Sequence, residues 1–467
     1  MSDLPTTVSG GRRTSRLPAF VGRTFSSLRT RNYRLWFFGQ TVSQCGTWMQ
    51  SAAQYWLVLE LTHSAFDLGI TAALQFAPVL VFGTIGGLIA DRFDKRKVVL
   101  LTQSAFTAQA TMLWVLVASG SVRLWMVWAL ALSYGFINVF DNPSRQSFVM
   151  DMVGPDEVAN AVALNSVIVN TSRIIGPALV GVIMIFHAGL SWAFLANAIS
   201  FAAVIGALLA MQTSELHRRP PVSRAKGQIR AGLGYAWRTW ELRVPLLMMA
   251  VIGTLAYNFS VILPLFAHDV FHRGGVTYAF LLVAMGVGAL GGGLTIAWRR
   301  RPSHRLLVVV TAAFGVFILA VAAAPTLSLC IILLVAMGAA SIMFIATANS
   351  LLQLNSKGAM RGRVMALWAI VFLGSTPIGA PLIGFLASQY GARFALAVGG
   401  LATLATALWA GLELRRIRGR RDVPGRTAAG AVTAIEATAE DVAESPFERA
   451  EDATREAALE ETVGSGH

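Results

Sequence analysis

The sequence predicts an all-α integral membrane protein, with about twelve transmembrane helices in two six-helix bundles carrying internal inverted repeats. Three observations support this. Apolar residues make up 55% of the 467 and charged ones only 13%, with a mean hydropathy of +0.60, a balance that soluble domains seldom reach. The apolar residues gather into about twelve runs of bilayer-crossing length. Segments of the second half also repeat segments of the first.

The runs cover 33–59, 66–90, 98–119, 124–150, 158–186, 190–211, 244–268, 277–298, 305–324, 326–354, 363–388 and 392–413. An even number places both ends on one side. Arg12 to Arg34, Arg92 to Lys97, Arg218 to Arg243, Arg299 to Arg305, Lys357 to Arg363 and Arg415 to Arg426 all fall on that side, whereas the opposite connections offer little beyond Arg123, Arg273 and Arg393. The positive-inside rule therefore makes both termini cytoplasmic. The net charge of +14 follows from this topology, and no nucleic-acid partner is expected. Cys45 and Cys330 lie inside apolar runs and read as small packing residues. The basic N-terminal segment leads into a run too long for a signal peptide and acts as an uncleaved anchor. The expected organisation is a basic cytoplasmic tail (1–31), an N-terminal six-helix bundle (32–212), a cytoplasmic linker (213–243), a C-terminal six-helix bundle (244–413) and a cytoplasmic tail (414–467). That last segment is rich in Ala, Glu and Asp, cannot build a core, and is expected to be disordered.

In the first run Gln40, Gln44, Thr47, Ser51 and Gln54 recur at helical spacing, so one stripe of an apolar helix is hydrophilic. Lipid will not take that stripe, which either hydrogen-bonds to neighbouring helices or lines a water-filled cavity. Glu60, His63 and Asp67 follow in an outer connection. The fourth run places Asp141 roughly 15 Å from its cytoplasmic end, near the bilayer midplane, where a carboxylate needs a partner. The antiparallel fifth run brings Asn170 and Arg173 to a comparable depth, and Arg145 lies nearer in sequence but shallower. Arg173 is the expected partner. Arginine stays protonated, so only Asp141 can take up and release a proton. The pair is either a proton-coupling site or a permanent ion pair pinning two helices.

Gly176, Pro177 and Gly181 stand in the middle of the fifth run, where they permit close packing and a local bend. The stretch Ile175 to Gly181 reappears as Ile378 to Gly384, so Gly379 and Gly384 repeat Gly176 and Gly181 at an offset of 379 − 176 = 203. The same offset sets Asp141, Arg145 and Asp151 against Phe344, Ala348 and Leu354, concentrating buried charge in the first half. Asn258, Asn349, Trp368, Ser375 and Thr376 leave the second half a mostly neutral wall. In the linker Ile229, Leu233, Trp237 and Trp240 recur at helical spacing among Arg230, Arg238 and Arg243, which predicts an amphipathic helix on the cytoplasmic lipid surface.

Between the second and third runs stands Gly86-Gly87-Leu88-Ile89-Ala90-Asp91-Arg92-Phe93-Asp94-Lys95-Arg96-Lys97. Its Gly87, Asp91, Arg92, Lys95 and Arg96 resemble the signature loop of the major facilitator superfamily, with Asp94 where a glycine is usual. Finer matches are Arg31-Asn32-Tyr33-Arg34-Leu35-Trp36, Gly46-Thr47-Trp48-Met49-Gln50, Asp141-Asn142-Pro143-Ser144-Arg145-Gln146 and Asn160-Ala161, with Leu164-Asn165-Ser166 before Arg173-Ile174-Ile175-Gly176-Pro177. These look like the transmembrane secretion effector branch, which includes macrolide efflux pumps and the enterobactin exporter. The resemblance covers roughly residues 30–415. It implies export of a hydrophobic or amphipathic small molecule across the bacterial inner membrane, driven by proton exchange. It also implies a cytoplasmic gate in which Asp91, with Arg92, Lys95 and Asp151, latches the second span to the fourth and to the start of the eleventh.

The expected function is a proton-coupled exporter working by alternating access, with a small molecule, protons and the lipid bilayer as partners and a monomeric state. An importer or lysolipid flippase on the same scaffold is a rival, as is a membrane receptor or scaffold that transports nothing. No nucleotide-binding glycine loop, metal-ligand cluster or nucleophile elbow is present in the sequence, so no enzyme activity, cofactor or metal is expected.

Overall fold

The computed structural model describes residues 25–217, 228–299 and 302–421, with the side chains of Asp91, of 228–231 and of 418–421 outside that description. The two tails up to residue 24 and from residue 422, the Arg218-Arg219-Pro220-Pro221 segment, and the side chains of Ile229 and Arg230 thus lie beyond it.

Fourteen α-helices follow one another among the described residues: α1 Arg31–Thr62, α2 Ala65–Arg92, α3 Lys95–Ala118, α4 Leu124–Met152, α5 Val158–Ile185, α6 Ser191–Leu209, α7 Gln228–Arg238, α8 Trp240–Leu255, α9 Phe259–Leu265, α10 Gly275–Arg299, α11 His304–Ala323, α12 Leu327–Asn355, α13 Gly358–Tyr390 and α14 Ala392–Arg421. Eleven stretches are long and apolar enough to cross a membrane, α8 and α9 counting as one. A twelfth, α1, has 32 residues, but its amide and hydroxyl side chains dilute its hydropathy. Large apolar side chains such as Val81, Leu101, Ile199 and Leu408 stand exposed around the outside, as lipid-facing residues must.

The turns follow local chemistry. Ser64 caps α2 by accepting a hydrogen bond from the Asp67 amide at 3.2 Å, and Asp94 caps α3 in the same way through Lys97, each satisfying an orphan amide of the first turn. The seventh span is not one helix. It breaks between Leu255 and Phe259, and α9 then passes into a π turn over Phe266–Val270. Pro264, inside α9, cannot donate to the ladder, which is consistent with this irregular stretch.

The repeated glycines show how the halves meet. Gly176 of α5 lies against Trp48, Met49 and Cys45 of α1, and its counterpart Gly379 of α13 lies against Thr254 of α8. Each thus seats its helix on the first helix of its own half. Gly181 faces Ala279 of α10, while Gly384 faces Ala65 and Phe66 of α2, so each seats its helix on the second helix of the opposite half. The 203-residue repeat is therefore a repeat of packing roles, in which a side chain would hold the backbones apart. At the far end, opposite the basic loops, Trp56 stacks on Tyr278 at 5.8 Å and the His63 and His268 rings lie 5.4 Å apart.

The linker differs from expectation. α7 ends at Arg238, and Trp240 opens α8, its ring 4.7 Å from that of His304. Trp237 is exposed on α7. The two indoles therefore do not share one helical face, because the helix is interrupted at Thr239.

Candidate functional site

Asp141 lies inside α4, about 16 Å along the axis from that helix's basic end, and is 3% exposed. Its side chain turns toward α3. Oδ1 accepts from Thr102 Oγ1 at 2.8 Å and from Gln103 Nε2 at 2.9 Å, and Oδ2 lies 3.3 Å from Arg145 Nε one turn away. Arg145 also donates through Nη2 to Asn142 Oδ1 at 3.0 Å. The expected pairing of Asp141 with Arg173 is not formed. Sequence spacing fixes how deep a residue sits in a span, but the direction in which it leaves the helix decides its neighbours, and Asp141 points to α3 while Arg173 belongs to α5. Pro143 removes a donor from the ladder of α4 at the Val139 carbonyl, and Gly86 of α2 packs directly on that carbonyl.

Arg173 sits near the middle of α5 with its guanidinium over the Trp48 ring, 5.0 Å from the centroid. Its Nε is buried without a partner, and it forms no hydrogen bond or ion pair among the described residues. A cation on an aromatic face gains about 0.5–2 kcal/mol, whereas burying an ion costs several. Trp48 alone does not offset that cost.

The first-span stripe divides. Gln44, Thr47 and Ser51 are half-buried; Gln40 and Gln54 are buried, with Gln40 Oε1 and Gln54 Nε2 unpartnered. One turn before Gln54 on the same helix, Gln50 donates to Gln109 Oε1 at 2.9 Å and accepts from Asn197 at 2.8 Å, and Ser200 completes the chain. That network, which ties α1 to α3 and α6, was not read from the sequence. Nor were Thr102 and Gln103; the available signal was polar residues standing alone in the third apolar run. Asn170 is half-buried and donates to Ser166 in its own helix. In the second half, Asn258 stands at the break of the seventh span, 2% exposed, with Oδ1 unpartnered. Asn349 accepts from Gln353 at 2.5 Å, and Trp368 is buried with its ring stacked on Phe372 at 6.2 Å.

At the basic end Lys95 Nζ holds both carboxylate oxygens of Asp151, at 2.9 and 2.7 Å, and Arg96 Nε donates to the Leu208 carbonyl at 2.8 Å. These bonds fasten α3 to α4 and α6 within the first half. Arg92 is exposed, Gly87 is buried, and the Asp91 side chain lies outside the described residues.

A comparison with known protein families matches residues 22–424 to the transmembrane secretion effector model. The chain belongs to that family, within the major facilitator superfamily. Members of the family resembling it include the staphyloferrin A transporter of Staphylococcus aureus, 24% identical over 77% of this chain and 90% of that one, and the enterobactin exporter EntS of Citrobacter koseri, 28% identical over 78% and 88%. Among solved structures, a bacterial homologue of the human lysosomal transporter Spinster in an inward-facing, unoccupied conformation covers 82% of this chain and 95% of its own, with a TM-score of 0.63 at 14% identity. The nucleoside transporter NupG gives 0.64 at 11% identity, covering 82% and 98%. A secretion effector with this fold is a secondary membrane transporter, not an enzyme, and spans the bacterial inner membrane many times.

Proposed function

We propose that the protein is a proton-coupled exporter of a hydrophobic or amphipathic small molecule, a drug, siderophore or related metabolite. It works as a monomer by alternating access with both termini cytoplasmic. Resemblance to a staphyloferrin A transporter and an enterobactin exporter supports a siderophore as the first cargo class to test.

The observation that supports proton coupling is Asp141: a buried carboxylate in mid-span, held by two hydrogen-bond donors on α3 and an ion pair with Arg145 on α4. Protonation cancels the charge that holds Arg145, which keeps Asn142 as an acceptor. Because Asp141 also joins α4 to α3, its proton state changes how tightly those helices are held. That links a chemical event to the movement of one half against the other.

The contacts Trp56 to Tyr278 and His63 to His268 join the two halves at the end opposite the basic loops, which supports a form that cargo enters from the cytoplasm. The polar face of Gln40, Gln44, Thr47, Ser51 and Gln54, with Asn170, Asn258 and Asn349, supplies neutral hydrogen-bonding groups to a central path. In the outward-open form the basic ends of the halves close, with Asp91 and Arg92 forming the latch and Lys95 to Asp151 keeping the first half rigid behind it.

The test is accumulation of a cargo panel by purified protein in liposomes with an imposed pH gradient. Uphill movement coupled to opposing proton flow supports the reading. Movement that ignores the pH gradient, or runs uphill with the proton flow as in an importer, contradicts it.

A further inference from the structure

Among the described residues Arg173 has no counter-ion, although it stands in the middle of a membrane span. It stands 15 residues into the 28 of α5, about 22 Å along the helix, too deep for its side chain to reach either interface. Of the carboxylates in the sequence, only Asp141 stands in the middle third of a span, and it is taken by Thr102, Gln103 and Arg145. The guanidinium instead lies on Trp48, with Nε buried and unpartnered. Tyr257 of the second half has its hydroxyl committed to the Ser341 carbonyl at 2.8 Å. A half-buried cation in mid-span that is left unpaired among the described residues is a site for an anion that comes and goes.

We infer that Arg173 is the specificity-determining residue of the transport path and that the cargo is an organic anion, with a carboxylate or similar oxyanion carried beside a planar apolar group. The fork of N–H donors on the guanidinium receives two oxygens side by side. The Trp48 ring next to it offers an aromatic face for the planar body. The inference rests on the reading of a transporter with a central path, and is independent of export direction and of proton coupling.

Three isosteric probes test it by calorimetry on the purified full chain: 2-naphthoate, 2-naphthamide and 2-naphthylmethylammonium. The naphthoate is expected to bind about tenfold more tightly than the amide, the margin of a charge-assisted hydrogen bond, and the ammonium not at all. Arg173→Gln should bring the naphthoate within about twofold of the amide. Arg173→Lys should keep part of the preference, since it keeps the charge and loses the fork. The melting temperature of Arg173→Gln should not fall, because no ion pair among the described residues is lost. Binding of the amide or the ammonium as tightly as the naphthoate, an anion preference that survives Arg173→Gln, or a marked fall in its melting temperature would each overturn the inference. A protein that shows the anion preference but builds no cargo gradient keeps this inference and loses the exporter reading; one that accumulates cargo without that preference does the reverse.

Discussion

Arg145 and Arg173 sit in consecutive helices, both well inside the membrane, and their surroundings are opposite. Arg145 lies one turn from Asp141 and donates to Asn142; Arg173 meets an aromatic face and, among the described residues, no acceptor. The difference shows that a charge in a span is read by what faces it. The first arginine belongs to a cluster joining α3 and α4, whose charge balance is internal and can be changed only by a proton. The second lies on an aromatic face of its own half, and by our inference its balance comes from outside the chain.

The contrast breaks most visibly at Asp141. Asp141→Leu strands Arg145, Thr102 and Gln103 together and should cost about 3–5 kcal/mol of stability, seen as poor expression and early thermal unfolding, whereas Arg173→Gln should cost nothing measurable. Equal losses would make both arginines structural and erase the distinction. The next largest effect is expected at Gly176, whose neighbours are Trp48, Met49 and Cys45. Gly176→Val should push α5 off α1 at a cost of about 1–3 kcal/mol. It should separate Arg173 from Trp48 and weaken anion binding, while the Asp141 cluster on the other side of the half keeps its response to protons. Loss of both responses would mean that the two sites are not separable. The smallest effect sharpens the comparison: Trp48→Leu removes the ring under Arg173, a contribution of about 0.5–2 kcal/mol, and should raise the dissociation constant of a planar anion by less than about thirtyfold.

Much of this was legible before any coordinates. The twelve spans follow from apolar runs, and the fold from those runs together with Gly176, Gly181, Gly379 and Gly384, whose repetition records two packing surfaces used twice. The depth of Asp141 and Arg173 also follows, since a helix rises by a fixed amount per residue. Their partners do not. Which way a side chain leaves the helix depends on how that helix is rotated within the bundle, and neither hydropathy nor spacing reports the rotation when polar residues occur on two faces. α1 is the clearest instance: Gln50 and Gln54 stand one turn apart, yet Gln50 joins a buried chain of amides while Gln54 keeps an unpartnered nitrogen. The break before Phe259 was hidden for a related reason, because an apolar run looks the same whether its backbone is continuous or interrupted.

The central claim is that Asp141 carries the proton that drives transport, and it is tested most directly by proton flow. In liposomes containing a pH-sensitive dye and loaded with a transported cargo, the wild-type chain should move protons opposite to the cargo and in fixed proportion to it. Asp141→Asn cannot titrate but keeps the volume and an acceptor for Thr102 and Gln103. It should exchange labelled for unlabelled cargo at a comparable rate while moving no protons with it. A folded Asp141→Asn protein that still couples cargo movement to proton flow would contradict the account.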